Sequence, residues 1–335
     1  VNQAKGQGMM QRGDLIESLR AVLARAGFEV SERCDLRPVS FDLVARRGNE
    51  LLMVKVLANV DALGDAVARE IKVLCKFLQA KPLLIGLRAG TGPLEPGVVY
   101  CRHEIPIMAP ETLEQYLLEG DSPMVFAAPG GFYVRLDAAA LRRAREQAQL
   151  SLGTMAQVAG VSRRAIQMYE EGMSASIEAA VRLEEFFRSE LIRPLDPFAS
   201  FDASTFELPA SPQETPGAGG LESAVARLLE ALGYRVRPME RSPFNALSTQ
   251  EEQTLLTGMG EDSPQLRRRA RVVASVSRIT GRPGFFVVER TTRTSIEGMP
   301  VVSRRELQRL DDPAAVLDLI LERQSRPGTP PASDS

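Results

Sequence analysis

LSLGTMAQVAGVSRRAIQMYEEG, residues 150–172, reads as two short helices and the turn between them. Ser151 carries the short oxygen side chain that caps a helix start. Met155, Ala156 and Ala159 then recur on one helical face. Ala156 is small, as two helices crossing closely at that point require. Gly160 suits the left-handed turn that ends the first helix, and Val161 fills the space beneath it. Ser162 caps the second helix, whose inner face is Ile166 and Tyr169. Arg163, Arg164 and Gln167 are left pointing outward from its N-terminal half. A helix lying in a DNA major groove presents its side chains in this way. Arginine matches O6 and N7 of guanine, and glutamine matches N6 and N7 of adenine. The candidate contacts to double-stranded DNA are therefore Ser151, Thr154, Ser162, Arg163, Arg164 and Gln167.

Upstream of this stretch, apolar residues 124–127 and 132–136 flank Pro129-Gly130-Gly131 and predict a hairpin. Asp137 then caps a helix predicted over 138–149. Between Ala138 and Tyr169 stand five arginines and one glutamate. From Glu170 to Asp196 seven acids face three arginines. A basic side and an acidic side let a chain of net charge −2 bind phosphates locally. The helix predicted from Ser176 onward is expected to spend Ile177, Ala180, Val181, Leu183, Phe186 and Phe187 largely on closing its own small core.

Residues 141–187 resemble the five-helix, Cro/C1-type (Xre-type) helix-turn-helix. The matching pieces are Leu141-Arg-Arg-Ala-Arg145, Leu150-Ser151, Ala156, Gly160-Val161-Ser162, Ile166, Tyr169-Glu170 and Gly172, with residues 176–183 as the fourth helix. Many members hold a phosphate with a Gln just after the first cap, where this chain has Leu152. The whole chain also resembles a group of archaeal HTH-type transcriptional regulators. The resemblance implies sequence-specific DNA binding, and a single helix-turn-helix reads only a short half-site. A homodimer on a palindromic site is the expected form.

Two further blocks flank the central one. Residues 9–120 predict an α-β-β-β-α-β-β-α unit, with its first strand over 28–33 and its second helix over about 63–79, broken by Lys81-Pro82, and residues 221–323 repeat its order. Gly27-Phe28 recurs as Gly233-Tyr234, Ser40-Phe41-Asp42 as Pro243-Phe244-Asn245, Lys81-Pro82 as Arg282-Pro283, and Ile105-Pro106-Ile107 as Met299-Pro300-Val301. The same order throughout points to an internal duplication. The expected layout is an α/β domain at 9–120, a hairpin plus helix-turn-helix at 121–198, a Pro/Gly/Ser-rich linker at 199–220, a second α/β domain at 221–323 and a disordered tail at 324–335. The fold class is thus multidomain: two duplicated α/β domains flanking an all-α, lambda-repressor-like module. The flanking domains are expected to carry the dimer contact, and pairing of the two copies within one chain is the competing arrangement.

Glu17 on the first helix, Phe41-Asp42-Leu-Val-Ala-Arg46 and Leu51-Leu-Met-Val-Lys-Val56 resemble the core of PD-(D/E)xK nucleases of the Holliday-junction-resolvase type. That chemistry needs carboxylates around Mg²⁺ and a lysine beside the attacking water. Asp42 and Lys55 match. The second acid is replaced by Met53, whose thioether is a poor ligand for a hard cation. In the other copy Asn245, Leu256 and Gly258 stand at the three positions. The expected role is a scaffold without catalysis, with no catalytic, metal or cofactor site. The alternative is a structure-selective or restriction-type nuclease targeted by the helix-turn-helix. The run Arg267–Arg271 reads as a solvated helix face. The retained groups also have a plain structural reading, in which Asp42 caps a strand or pairs with Lys55, and Glu17 and Lys55 are solvated.

Composition agrees with a water-soluble, reducing setting. Of 335 residues, 44% are apolar and 25% charged, and no run approaches a membrane span. The N-terminus has no apolar signal region. Cys34, Cys75 and Cys101 are scattered, and His103 is the single histidine. That argues against a disulfide framework and a zinc site, and cytoplasmic location is expected.

Overall fold

A computed structural model of the chain describes residues 12–36, 39–90, 92–199, 205–209 and 220–325. The N-terminal lead, most of the 199–220 linker and the tail after Ser325 lie outside the described residues. The first block contains α1 (Arg12–Arg25), β1 (Glu29–Val30), β2 (Leu43–Arg47), β3 (Glu50–Asn59), α2 (Asp65–Leu78), β4 (Lys81–Ala89), β5 (Gly92–Pro93), β6 (Val98–Arg102), β7 (Ile105–Met108) and α3 (Pro110–Glu114). The central block contains β8 (Val125–Ala128), β9 (Gly131–Leu136), α4 (Ala138–Gln147), α5 (Leu152–Ala159), α6 (Arg163–Glu170), β10 (Ala175–Ser176), α7 (Ile177–Phe187) and β11 (Ile192–Arg193). Then come α8 (Leu221–Ala231), β12 (Arg235–Pro238), β13 (Ala246–Gln250), β14 (Gln253–Met259), α9 (Pro264–Thr280), β15 (Gly284–Val288), β16 (Ser295–Ile296), β17 (Met299–Ser303), α10 (Arg304–Leu307) and α11 (Pro313–Ser325).

The α-β-β-β-α part of the first block's order is present, but four strands, β4 to β7, follow α2 where that order has two. Two local readings need correction. The strand predicted over 28–33 narrows to Glu29–Val30, opposite Arg46 and Ala45, with the Ser31 N–H still donating to the Val44 carbonyl at 2.8 Å. Lys81 and Pro82 do not end the second helix. It stops at Leu78, where Gln79 takes a left-handed φ of 55°, and Lys81-Pro82 already opens β4. Proline is tolerated there because a strand's first residues can forgo one ladder donor.

The described residues form two compact units. One holds the chain up to Ala26, Val56–Leu63 and Leu83–Phe201; the other holds Gly27–Lys55, Gly64–Pro82 and the chain from Asp202. In the first unit the sheet runs from the end of β3 through β4-β7-β6-β8-β9-β10, with β5 on β4 and β11 on β9. β6 pairs in parallel with β8, Val98 opposite Val125, and β8 returns as the β9 hairpin. The hairpin predicted to open the central block therefore extends the α/β sheet. Val134 and Leu136 of β9 enter the same buried cluster as Leu141, Met155, Ile166 and Leu183. The helix-turn-helix is thus seated on a sheet instead of hanging from a tether.

In the second unit β1-β2-β3 form an antiparallel ribbon, with Leu43 opposite Val54 and Val44 opposite Met53. The later sheet is ordered β12-β13-β14-β15-β17-β16. In it Ala246 lies opposite Thr257 and Leu247 opposite Leu256. Its core gathers Val225, Leu229, Phe285, Val287, Val302 and Ile320. Parts of the first and third blocks pack together inside this unit, α9 lying against β2. The Glu32 N–H donates to Ser275 Oγ at 2.8 Å, and Arg46 donates to the Thr280 carbonyl at 3.1 Å. The Glu70 carboxylate accepts from the hydroxyls of Ser40 and Ser242 and from the Arg241 N–H, each at 2.9 Å. Segments of the two α/β blocks thus meet within one chain. Among the described residues, no helix is long and apolar enough to cross a membrane.

Candidate nucleic-acid interface

Local capping builds the site. Asp137 Oδ1 accepts from the Ala140 N–H at 2.9 Å and starts α4. Ser151 Oγ accepts from the Thr154 N–H at 3.0 Å and lies 2.9 Å from the Thr154 hydroxyl, starting α5. Gly160 ends α5 with a φ of 70°. A Cβ there would also collide with the Arg182 guanidinium, which donates to the Ala159 carbonyl at 3.4 Å. Ser162 Oγ accepts from the Ala165 N–H at 3.1 Å and starts α6. Met155, Ala156, Ala159, Ile166 and Tyr169 are all buried, with Val161 half-buried against them.

Arg145 of α4 ties α6 in place. Its Nε and Nη2 donate to the two oxygens of Glu170 at 2.6 and 3.0 Å, and the side chains are only 17% and 10% exposed. The hydrogen bond to Glu170 raises the arginine above its ordinary pKa. Both residues stood in the sequence, yet nothing in their spacing indicates that they meet.

Three candidate contacts form the outer face of α6. Arg163, Arg164 and Gln167 are exposed. The two arginines are the first two residues of the helix and have no counter-ion among the described residues. Cations at a helix N-terminus oppose its dipole, at a cost of about 0.3–1 kcal/mol each. Gln167 donates from Nε2 to Glu171 Oε1 at 3.1 Å. Ser151, Thr154 and Ser162 are exposed at the starts of α5 and α6.

The reading of α7 needs correction. Val181 is 39% and Phe186 49% exposed, so neither closes the core. Ala179, Ala180 and Leu183 do, with Ile177 and Phe187 partly buried beside them. The apolar residues of α7 do not form one stripe, so counting them overstated what the core takes.

The two nuclease-like positions are sealed. Asp42 is fully buried, 3.7 Å from Lys55, whose Nζ donates to the Val39 carbonyl at 2.6 Å. Of the two structural readings, the Asp42–Lys55 pair is the one present, and Lys55 is not solvated because β3 is buried along most of its length. Met53 is buried too, 3.9 Å from the Cys75 sulfur. Glu17 is exposed and pairs with Arg20 at 3.1 Å. In the later block Asn245 Nδ2 donates to Glu222 at 2.5 Å, and its Oδ1 accepts from the Met259 N–H at 2.8 Å and from Arg269. Arg269 also donates to the carbonyls of Pro243 at 3.0 Å and Met259 at 3.2 Å. Its guanidinium lies 5.8 Å from the centre of the Phe286 ring. Burial lowers its pKa, and the Glu222 charge opposes that shift. Gly258 leaves the space that the Phe286 ring fills. The run 267–271 is therefore not uniformly solvated. Arg267, Arg268 and Arg271 are exposed, but Arg269 turns inward. Helical spacing carried that signal, since Leu266, Arg269, Ala270 and Val273 share one face. Among the described residues, no group of three or more His, Cys, Asp or Glu is placed to hold a metal.

Comparison with known proteins identifies the first and central blocks. The model of a PD-(D/E)XK superfamily domain matches residues 12–123, and a helix-turn-helix model matches residues 141–192. A "putative HTH-type transcriptional regulatory protein" of Natronomonas pharaonis is 40% identical over 318 residues, covering 94% of this chain and 99% of its own. One of the same description from Halobacterium salinarum is 40% identical, covering 94% and 98%. Another, from Methanocella arvoryzae, is 36% identical over 316 residues, again covering 94% and 98%. No solved structure matches the chain. The chain belongs to the family of archaeal HTH-type transcriptional regulatory proteins, with a PD-(D/E)XK superfamily domain ahead of a Cro/C1-type helix-turn-helix.

Proposed function

We propose that the chain is a sequence-specific transcriptional regulator that lays α6 in the major groove, acting in the cytoplasm as a homodimer on a palindromic site. Ser151, Thr154 and Ser162 hold the backbone, and Arg163, Arg164 and Gln167 read or grip from α6. The observation that carries this reading is the pair Arg163 and Arg164. They sit exposed and uncompensated at the positive end of a helix, where only an anionic partner makes their placement favourable. The homodimer follows from the short reach of one recognition helix, since a second half-site held nearby raises affinity by effective concentration.

The layout proposed is a non-catalytic α/β block at 9–120, the DNA-binding block at 121–198, a linker at 199–220, a second α/β block derived by duplication at 221–323 and a tail. Supporting the duplication, β1-β2-β3 and β12-β13-β14 share antiparallel order and register, and both α/β blocks place the late strand parallel to the middle one, β4 with β7 and β15 with β17. Supporting loss of catalysis, the Asp42 carboxylate is fully buried and Arg269 occupies the second block's counterpart.

Incubating the full chain with labelled duplex and four-way-junction DNA, with Mg²⁺ or Mn²⁺, tests both halves. A retarded duplex complex with intact strands is expected. Cleavage that Asp42→Ala abolishes would favour the nuclease reading instead.

A further inference from the structure

Glu171 is an odd neighbour for a DNA-reading surface. It is exposed and anionic, and it stands directly after the last residue of α6. A carboxylate facing phosphates costs affinity. Its position is nevertheless closely held. The preceding residue, Glu170, is clamped by Arg145. The Glu171 backbone N–H donates to the Gln167 carbonyl at 3.1 Å, and its Oε1 accepts from Gln167 Nε2 at 3.1 Å. Gln167 is thus bound to Glu171 through both main chain and side chain.

The bond decides what the glutamine can offer. An amide has two N–H donors and one carbonyl acceptor. With one N–H turned toward Glu171, the other N–H and Oε1 remain, aligned as a donor–acceptor pair. A free glutamine can turn its amide over and present the pair in the opposite sense. The pair fits adenine, which offers N7 as acceptor and the N6 amino group as donor. The carboxylate adds a second effect, attracting an amino group in the groove and disfavouring the O6 of guanine or the O4 of thymine.

We infer that Glu171 is a positioning residue for base discrimination: it orients the Gln167 amide so that α6 prefers adenine at the base pair Gln167 faces, at the expense of overall affinity. This inference rests on the DNA-reading role of α6 proposed above.

The test is selection from a randomised double-stranded DNA pool with the full chain, followed by binding to the selected site, to its single-base variants and to scrambled duplex. With Glu171→Ala, the preference for adenine at one position is expected to fall by about tenfold. Binding to scrambled duplex should at the same time strengthen severalfold. Glu171→Gln, which keeps an acceptor for Gln167 without the charge, should retain most of the preference while still binding scrambled duplex more tightly. A variant with unchanged discrimination would overturn the inference and leave the DNA-reading role standing. A uniform loss on all sequences together with a lower Tm would overturn it in favour of a structural role. A wild-type chain that selects no site would sink the inference and the function beneath it together.

Discussion

Arg145→Ala should loosen the helix-turn-helix and cost about 2 kcal/mol of stability, midway between an exposed and a fully buried ion pair. The two hydrogen bonds from Arg145 to Glu170 are the charged link between α4 and the end of α6. Removing the arginine leaves a carboxylate only 10% exposed without its partner. The loss should be local, because β9 and the α/β sheet beneath retain their own pairing. Hydrogen exchange should therefore accelerate in α4 and α6 before β6 and β8. The double change Arg145→Met with Glu170→Leu should recover much of the stability, since matched apolar side chains replace a buried pair at little cost. Unchanged exchange in α6 after the single change would contradict this account.

Arg269→Ala should cost more, about 3 kcal/mol, and in the other unit. The guanidinium serves two backbone carbonyls and the Asn245 side chain at once. Without it these acceptors lose a donor in a part-buried site, at roughly 1–3 kcal/mol for each left unsatisfied. Arg269→Lys should not rescue the loss, because a single ammonium lacks the fork that reaches three acceptors. Denaturant unfolding of the later α/β block measures the effect. A variant as stable as the parent chain would mean that water satisfies those carbonyls and that Arg269 does not hold this site together.

These two arginines also mark what a sequence does and does not disclose. The helix-turn-helix was legible almost residue by residue, because its determinants are local: Ser151, Ser162 and Asp137 cap within three residues, and Gly160 turns within one. The order of elements in the first α/β block was legible as far as α2 for the same reason. Packing between distant segments was not. Nothing in the composition of residues 124–136 distinguishes a free hairpin from one that adds to β6. Val181 and Phe186 counted as core because apolar type does not reveal direction. Arg269 counted as solvent-facing because it lies in an arginine run, although its spacing from Leu266 put it on the buried side. The Glu70 carboxylate, which ties α2 to residues 240–242, gave no local sign at all. At the candidate interface the exposed face of α6 could be named in advance, but the Gln167–Glu171 bond on that face could not.

The central claim is that α6 reads bases. Binding of the full chain and of its Arg163→Ala and Gln167→Ala variants, to a selected site and to scrambled duplex at one fixed salt concentration, tests it most directly. Each variant should lose about 1–3 kcal/mol on the selected site and keep nearly all of its affinity for scrambled duplex. Equal losses on both DNAs would show that these side chains only hold phosphate, and would contradict the claim.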